Sequence, residues 1–123
     1  MNYLIDPTTQ TVTPIERTSE INKLLDCTFF TVVNLSKRDP ETGATVAMYL
    51  DDEGRLKYPN PNGYFRFSNA SDTYCGKAII HGYDDTGEEC DPPVTLEQVK
   101  SLVRFQPQPS FEEVAPSLQS VSI

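Results

Sequence analysis

Carboxylates are the most concentrated reactive groups in this sequence, and they gather in two short turns. The first turn runs from Asp51 to Gly54 and the second from Asp84 to Glu89, and each follows a predicted strand. Several oxygens on a turn can bind a hard cation, but neither turn has the alternating acidic spacing of a calcium-binding loop. An exposed acidic turn is either plain solvated surface or a site for a basic protein, whose affinity falls as salt rises. Protein binding is the leading hypothesis for these side chains: Asp51, Asp52, Glu53, Asp84, Asp85, Glu88 and Glu89.

A basic and aromatic segment, residues 55–67, lies between the two acidic turns and contains no acid. Aromatic rings beside positive charges can bind a nucleotide by stacking and ion pairing. The alternative is that Phe65 and Phe67 belong to the core while the basic residues balance nearby acids. A small nucleotide-like ligand is therefore the second hypothesis, with these candidate binding residues: Tyr58, Tyr64, Arg66, Lys77 and His81.

The residue types that most often perform catalysis or bind transition metals are sparse. The chain has three cysteines, Cys27, Cys75 and Cys90, and one histidine, His81. Zinc sites usually contain two close pairs of ligands, which this spacing lacks. On one continuous strand, Cys75 and His81 would lie about 20 Å apart. No phosphate-binding, dinucleotide-binding or nucleophile motif occurs. The sequence thus predicts no catalytic residue, no metal and no cofactor, and an enzyme is the third hypothesis.

Composition narrows the class of partner. The chain has 123 residues, the size of one domain, and a formal net charge of -8 from 18 acidic and 10 basic residues. This charge disfavours direct binding to a nucleic-acid backbone, and no run approaches the ~18 apolar residues of a membrane span. Sparse cysteines are typical of a reducing compartment. We expect a cytoplasmic protein without membrane contact that binds a basic protein, with a homo-oligomer as an open alternative.

Hydrophobic periodicity and turn residues predict an α+β fold. We expect a single domain with a mainly antiparallel sheet, two short helices packed on it and an extended C-terminal arm. The strands are predicted at residues 3–5, 11–15, 28–35, 45–50, 64–67 and 74–83.

Two segments have the apolar spacing of helices. In the first, Ser19 is the predicted cap of a helix from Glu20 to Asp26. In the second, Thr95 and Gln98 form a capping box, so a helix should begin there and continue to about Arg104.

Two of the predicted strands have distinctive faces. Residues 28–35 carry aromatic and β-branched side chains at both odd and even positions, which predicts a central strand that is covered on both faces. In the strand 74–83 the even positions include Gly76, Ala78 and Gly82, so a neighbouring backbone or helix can approach closely.

Composition changes near the C-terminus. Residues 106–123 are rich in proline and serine, whereas residues 1–105 carry the predicted helices and strands. We therefore divide the chain into a compact α+β domain, 1–105, and a tail, 106–123. Apolar residues spaced along the tail leave two alternatives, a disordered tail or an arm that docks on its own domain or on a partner.

Several short segments are similar to a known group of proteins. The sequence resembles an uncharacterised domain-of-unknown-function family of small bacterial and phage proteins that is often found on mobile elements. The resemblance covers about residues 3–105 and implies an accessory protein in bacterial or phage-infected cytoplasm, without implying catalytic residues. The most specific form of the binding hypothesis is a module that binds and modulates a host defence protein. The segments that carry the resemblance are Tyr3–Pro7, Leu24–Cys27, Phe29–Val33, Tyr49–Leu56, Tyr64–Phe67, Gly76–Gly82 and the Asp-Asp-x-Gly turn before Thr95.

Overall fold

Two antiparallel sheets and two short helices make up the part of the chain that the structure, a computed structural model, describes: residues 1–57, 59–70 and 72–106. The predicted α+β class, mainly antiparallel with two short helices in a single domain, is confirmed. In chain order the elements are β1 (Asn2–Asp6), β2 (Thr11–Ile15), α1 (Ile21–Leu24), β3 (Phe30–Asn34), β4 (Thr45–Asp51), a 3-10 turn (Arg55–Lys57), β5 (Tyr64–Phe67), β6 (Thr73–Cys75), β7 (Ala78–Tyr83), β8 (Glu89–Cys90), α2 (Leu96–Leu102) and β9 (Val103–Gln106).

The larger sheet has the strand order β2-β1-β7-β4-β3, and β8 pairs with the end of β7. The smaller sheet has the order β6-β5-β9. The main core combines Met48 and Ile80 of the larger sheet with Phe65 and Phe67 of the smaller one, and Val99 of α2 joins them. On the opposite face of the larger sheet, α1 forms a second apolar cluster that is centred on Ile21, Leu25 and Ile79.

Features that depend on neighbouring residues agree with the prediction. The predicted hairpin of β1 and β2 is present: its register begins with Asn2 opposite Ile15 and ends with Asp6 opposite Thr11. The capping box of α2 is complete, because the Gln98 amide donates to the Thr95 hydroxyl at 3.1 Å and the Thr95 amide donates to the Gln98 side chain at 2.7 Å. These contacts satisfy two amides that the first helical turn would otherwise leave unpaired.

The prediction for residues 28–35 is wrong in one respect, because β3 is an edge strand and not a central one. Val33 faces the main core and is 2% exposed, whereas Phe29, Phe30 and Val32 are 63%, 38% and 44% exposed. The apolar residues on both faces are real, but within the described residues only one face is covered. An apolar pattern records the tendency to be buried, and it does not say which surface covers it.

The predicted single strand over residues 74–83 is also wrong. Gly76 has a φ of 85°, a left-handed conformation that favours glycine. The chain bends there, so β6 pairs in the smaller sheet and β7 in the larger one. The close approach expected along this segment does occur at Gly82, where an added Cβ would lie 2.8 Å from the Asp91 carbonyl oxygen.

Both predicted helices are shorter than expected. The α1 helix ends at Leu24, and Asp26 has a φ of 53°. Ser19 does not cap it; Glu20 is the N-cap residue and its amide donates to the Thr18 hydroxyl at 2.9 Å. The α2 helix ends at Leu102 because Val103 is extended and begins β9, which runs through Gln106 into the predicted tail. Residues 107–123 of the predicted C-terminal arm lie outside the described residues. None of the described helices is long and apolar enough to span a membrane.

Candidate functional site

The two acidic turns lie at opposite ends of β4. Asp51 is the last residue of β4, whereas Asp84 follows Tyr83, which pairs with Thr45 at the first residue of β4. The six residue steps from Thr45 to Asp51 span about 20 Å. The seven predicted acids therefore form two separate groups.

In the first group, Asp51 differs from its neighbours. It is 7% exposed and forms an ion pair of 2.6 Å with Lys57, and it also accepts from the Glu53 amide at 2.9 Å. The hydrogen bond to Asp51 raises the pKa of the Lys57 ammonium. Asp51 thus organises the turn, and the charge that reaches the surface here is mainly that of Asp52, which is exposed, and Glu53, which is half-buried.

In the second group, the first carboxylate also organises its turn. Asp84 accepts hydrogen bonds from the Thr86 hydroxyl at 2.6 Å and from the Thr86 and Glu88 amides, and these bonds, the hydroxyl first, lower its pKa. Asp85 is exposed and pairs with Arg38 at 3.2 Å, and Glu88 is exposed. At the surface of this group the charge of Asp85 is therefore compensated by Arg38, and Glu88 carries the remaining exposed charge.

Glu89 belongs to a partly buried polar cluster on the face of the larger sheet that also carries α1. Its carboxylate accepts from the Tyr49 hydroxyl at 3.0 Å and from the Asn2 side-chain amide at 3.3 Å, and the Arg17 guanidinium lies at 3.7 Å. The Tyr49 ring stacks on the His81 ring with centroids 3.8 Å apart and an interplanar angle of 9°. The cluster therefore joins β1, β4, β7 and β8 through side chains.

Two groups of this polar cluster, His81 and Tyr49, have shifted pKa values. Burial lowers the pKa of His81, which is 2% exposed, although the nearby Glu89 charge opposes this effect. Burial first, and then the bond to Glu89, raise the pKa of Tyr49 to about 12. At neutral pH the imidazole is thus uncharged and the phenol protonated. His81 Nδ1 and Asn2 Oδ1 are buried without a hydrogen-bond partner among the described residues.

The residues of the nucleotide hypothesis are divided between the two sheets. Tyr64 is buried on β5, and its hydroxyl accepts from the Asn60 amide at 2.6 Å. Arg66, also on β5, donates to the Ala70 carbonyl at 3.3 Å, whereas Lys77 pairs with Asp26 at 3.0 Å beside the larger sheet. Tyr58 lies outside the described residues. Three surface depressions of about 370, 460 and 470 Å³ are lined by none of the four described members of this set, Tyr64, Arg66, Lys77 and His81.

The cysteines do not assemble a metal site with the histidine. Across residues 1–57, 59–70 and 72–106 no three histidine, cysteine, aspartate or glutamate side chains are grouped closely enough to hold an ion. All three cysteines are free thiols. Burial raises the pKa of Cys27 and of Cys90, and the nearby carboxylates Asp51 and Asp84, respectively, add to this effect. A raised pKa keeps a thiol protonated and lowers its nucleophilicity.

The edge strand β3 carries the most exposed apolar surface of the larger sheet, and no function was predicted for it from the sequence. It is formed by Phe29, Phe30 and Val32 at the edge strand β3, and we call it the β3 surface. Val32 lies opposite Tyr49 on β4, and the Phe30 ring meets the Tyr49 ring edge-on with centroids 5.3 Å apart. No local pattern could have marked this surface, because the same apolar residues would be expected in a buried strand.

The first acidic turn lies beside the β3 surface. The Phe29 carbonyl accepts from the Asp52 amide at 3.0 Å, which places this turn directly next to the aromatic residues. The second acidic turn follows β7, two strands from β3, and the exposed cations Lys37 and Arg38 follow β3 itself at this end. The charge beside the β3 surface is therefore negative at its first end and mixed at its other end.

Comparison with known proteins identifies the family of this chain. A family model described as Domain of unknown function (DUF3846) matches residues 2–104, which include every described helix and the first two residues of β9. No curated protein and no solved structure matches the chain. Because the family model spans most of the sequence, the chain belongs to the DUF3846 family, a domain of unknown function.

Proposed function

We propose that this protein is a small, acidic, non-enzymatic binding module whose partner is a basic protein. The observation that carries the proposal is the β3 surface, an uncharged apolar edge with the first acidic turn beside it. Asp52 and Glu53 stand beside Phe29, whereas Asp85 and Glu88 follow β7, two strands away from β3.

The edge position of β3 supports binding of another chain. Folded proteins usually protect an edge strand with a lysine, a proline, a bulge or a covering element. The β3 sequence Phe30-Thr31-Val32-Val33-Asn34 contains neither a charge nor a proline, and it pairs residue for residue with β4 without a bulge. Exposed apolar groups of this kind are typical of interaction surfaces.

The charge distribution supports a partner of opposite sign. A second copy of this chain would bring another net charge of -8 to the same edge, and like charges at an interface disfavour association. A basic side chain at the Phe29 end of an apolar contact would instead meet the first acidic turn. Electrostatic attraction of this kind mainly increases the rate of association and weakens as salt rises.

The biological setting in this proposal follows from the resemblance described above. The chain would act in the cytoplasm of a bacterium or a phage-infected cell as the product of a phage or another mobile element. Its basic partner would be a host protein, and the sharpest form of the proposal is that binding modulates a defence protein. The acidic surface and the β3 surface support a binding role of this kind.

Comparative capture tests the proposal. The full chain and two variants, Val32→Thr and the pair Asp52→Asn with Glu53→Gln, serve as baits in lysate of the cells that carry the gene. The matched control, Glu16→Gln with Glu20→Gln, removes the same charge from the segment after β2, the opposite edge strand. Bound proteins are quantified by mass spectrometry at about 0.1 M and about 1 M salt, where the Debye length falls from about 10 Å to about 3 Å.

The expected result is a basic protein that binds the wild-type chain and the control at the lower salt concentration. Its recovery falls with either test variant and at the higher salt concentration. An identical set of bound proteins for all four baits would contradict the proposal.

A further inference from the structure

The backbone of β3 has a row of hydrogen-bonding groups that point away from the sheet. The Asp52 amide donates to the Phe29 carbonyl at 3.0 Å, and the Leu35 amide donates to the Val46 carbonyl at 2.8 Å. In an antiparallel ladder, residues that bond to one neighbour alternate with residues whose amide and carbonyl face the other side. Phe29, Thr31, Val33 and Leu35 therefore bond towards β4. Phe30, Val32 and Asn34 direct their amides and carbonyls outward.

These outward groups meet no other strand in the described part of the chain, where β3 ends the strand order of the larger sheet. The residues that expose their backbone groups at this edge, Phe30 and Val32, also expose apolar side chains. An added strand can therefore form backbone hydrogen bonds and apolar contacts at the same positions. Main-chain bonds then supply affinity, and alternate side chains supply specificity.

We propose that the partner binds by adding an extended segment to the edge of β3 as a further strand of the larger sheet. This inference rests on the proposed function and names the part of the partner that is recognised. The segment pairs with Phe30, Val32 and Asn34, and every second side chain lies on the face that carries Phe30, Val32 and Tyr49.

The charges beside β3 define one end of the recognised segment. Asp52 and Glu53 lie beside Phe29, whereas the exposed cations Lys37 and Arg38 follow the other end of β3. The partner segment should therefore have apolar residues at alternate central positions and a lysine or arginine at the end that reaches Asp52 and Glu53. A second copy also carries Lys37 and Arg38 after its β3, but it brings a net charge of -8 to the edge, which disfavours it.

Peptides with methylated amides test strand addition directly. The probe is a nine-residue peptide, KKTVTVTKK, which has the predicted pattern. One derivative carries N-methyl groups on the two valines, whose amides face β3 when the valine side chains lie over Phe30 and Val32. The matched control carries them on the first two threonines, whose amides then face away. Both derivatives have the same charge and composition, and binding to the full chain is measured by NMR titration.

The expected result is a loss of affinity of about tenfold or more for the valine-methylated peptide, because at least two intermolecular hydrogen bonds are lost. The threonine-methylated peptide should stay within about threefold of the parent peptide. Val32→Thr should weaken the parent peptide as well.

Other outcomes would overturn strand addition. Equal affinities of the two methylated peptides, with binding still weakened by Val32→Thr, would refute it while leaving the proposed function in place. An absence of peptide binding would refute it for a basic extended segment, and comparative capture would then decide the proposed function separately. Displacement of the probe by a synthetic peptide of residues 107–123 would assign the edge to this chain's own C-terminal segment. A concentration-dependent dimer that excludes the probe would assign it to a second copy.

Discussion

The Phe30 ring on the edge strand meets the Tyr49 ring at an interplanar angle of 84°, with centroids 5.3 Å apart. Tyr49 in turn stacks on buried His81 and donates its hydroxyl hydrogen bond to Glu89. A row of rings therefore leads from the exposed edge of the larger sheet to the polar cluster that joins β1, β4, β7 and β8. The β3 surface is supported by a fixed arrangement of side chains, which reduces the entropy lost when a partner binds.

Two identical substitutions in adjacent residues should separate the binding role of β3 from its structural role. Val32→Thr replaces an exposed methyl group with a hydroxyl and should change the free energy of unfolding by less than about 0.5 kcal/mol. Val33→Thr places the same hydroxyl in the main core, where Val33 is 2% exposed, and should destabilise the protein by about 1–3 kcal/mol. Urea denaturation measures both values. Equal losses would contradict the edge position of β3.

Stability should depend on pH through His81. Because burial lowers its pKa in the folded state, the unfolded chain binds this proton at a higher pH, near the ordinary value of 6.5. The His81 contribution to stability is therefore complete above about pH 6.5 and is lost as the pH falls below it, by at most about 1.4 kcal/mol per pH unit.

The matched variant for this pH dependence is His81→Phe, which keeps a flat ring against Tyr49 and removes the titrating group. Urea denaturation between about pH 7 and pH 5 should show a decline for the wild type and a flatter profile for the variant. Hydrogen bonds lower the pKa values of Asp84 and Asp91, so these carboxylates affect the pH dependence of stability only near and below their ordinary pKa of 3.8. Parallel profiles for the two proteins would contradict the assignment to His81.

The bond between Tyr49 and Glu89 should contribute to stability. Tyr49→Phe removes the hydroxyl that donates to Glu89 at 3.0 Å and leaves the ring stacked on His81. The expected loss is about 1 kcal/mol, because Glu89 keeps the Asn2 bond and the nearby Arg17. Thermal and urea denaturation measure this loss. A variant as stable as the wild type would show that water replaces the hydroxyl without cost.

Gly82 should tolerate no side chain. An added Cβ would lie 2.8 Å from both the Asp91 carbonyl oxygen and the Pro92 Cα, so Gly82→Ala should separate the backbones and cost about 3 kcal/mol. Gly87→Ala is the control, because its Cβ meets no atom within 4 Å and only the positive φ of 87° is unfavourable, at about 1 kcal/mol. A loss for Gly82→Ala no larger than that of the control would contradict the close approach.

Sequence reasoning succeeded where structure depends on neighbouring residues. The capping box of Thr95 and Gln98, the β1–β2 hairpin and the small residue at Gly82 all follow from short-range chemistry. It failed where the outcome depends on distant contacts. Gly76 was compatible with a continuous strand, and only the separation of β6 and β7 into different sheets shows that it forms a bend.

The sequence predicted which residues belong to the acidic turns of the candidate site, but not where those turns lie in the fold. The sequence identified the two acidic turns, but their placement at opposite ends of β4 follows from the pairing of Thr45 with Tyr83. Residues 28–35 are apolar at both odd and even positions, and the prediction that they form a central strand is wrong. That pattern cannot distinguish a strand covered by its own sheet from one whose outer face is available to a partner.

Amide hydrogen exchange of the free full-length chain tests the central claim, an open β3 edge, most directly. We predict alternation along the strand: the amides of Thr31 and Val33, which bond to β4, should exchange at least about tenfold more slowly than those of Val32 and Asn34, which point outward. Equal protection of all four amides in the free protein would show that the edge is already covered. That result would contradict the account.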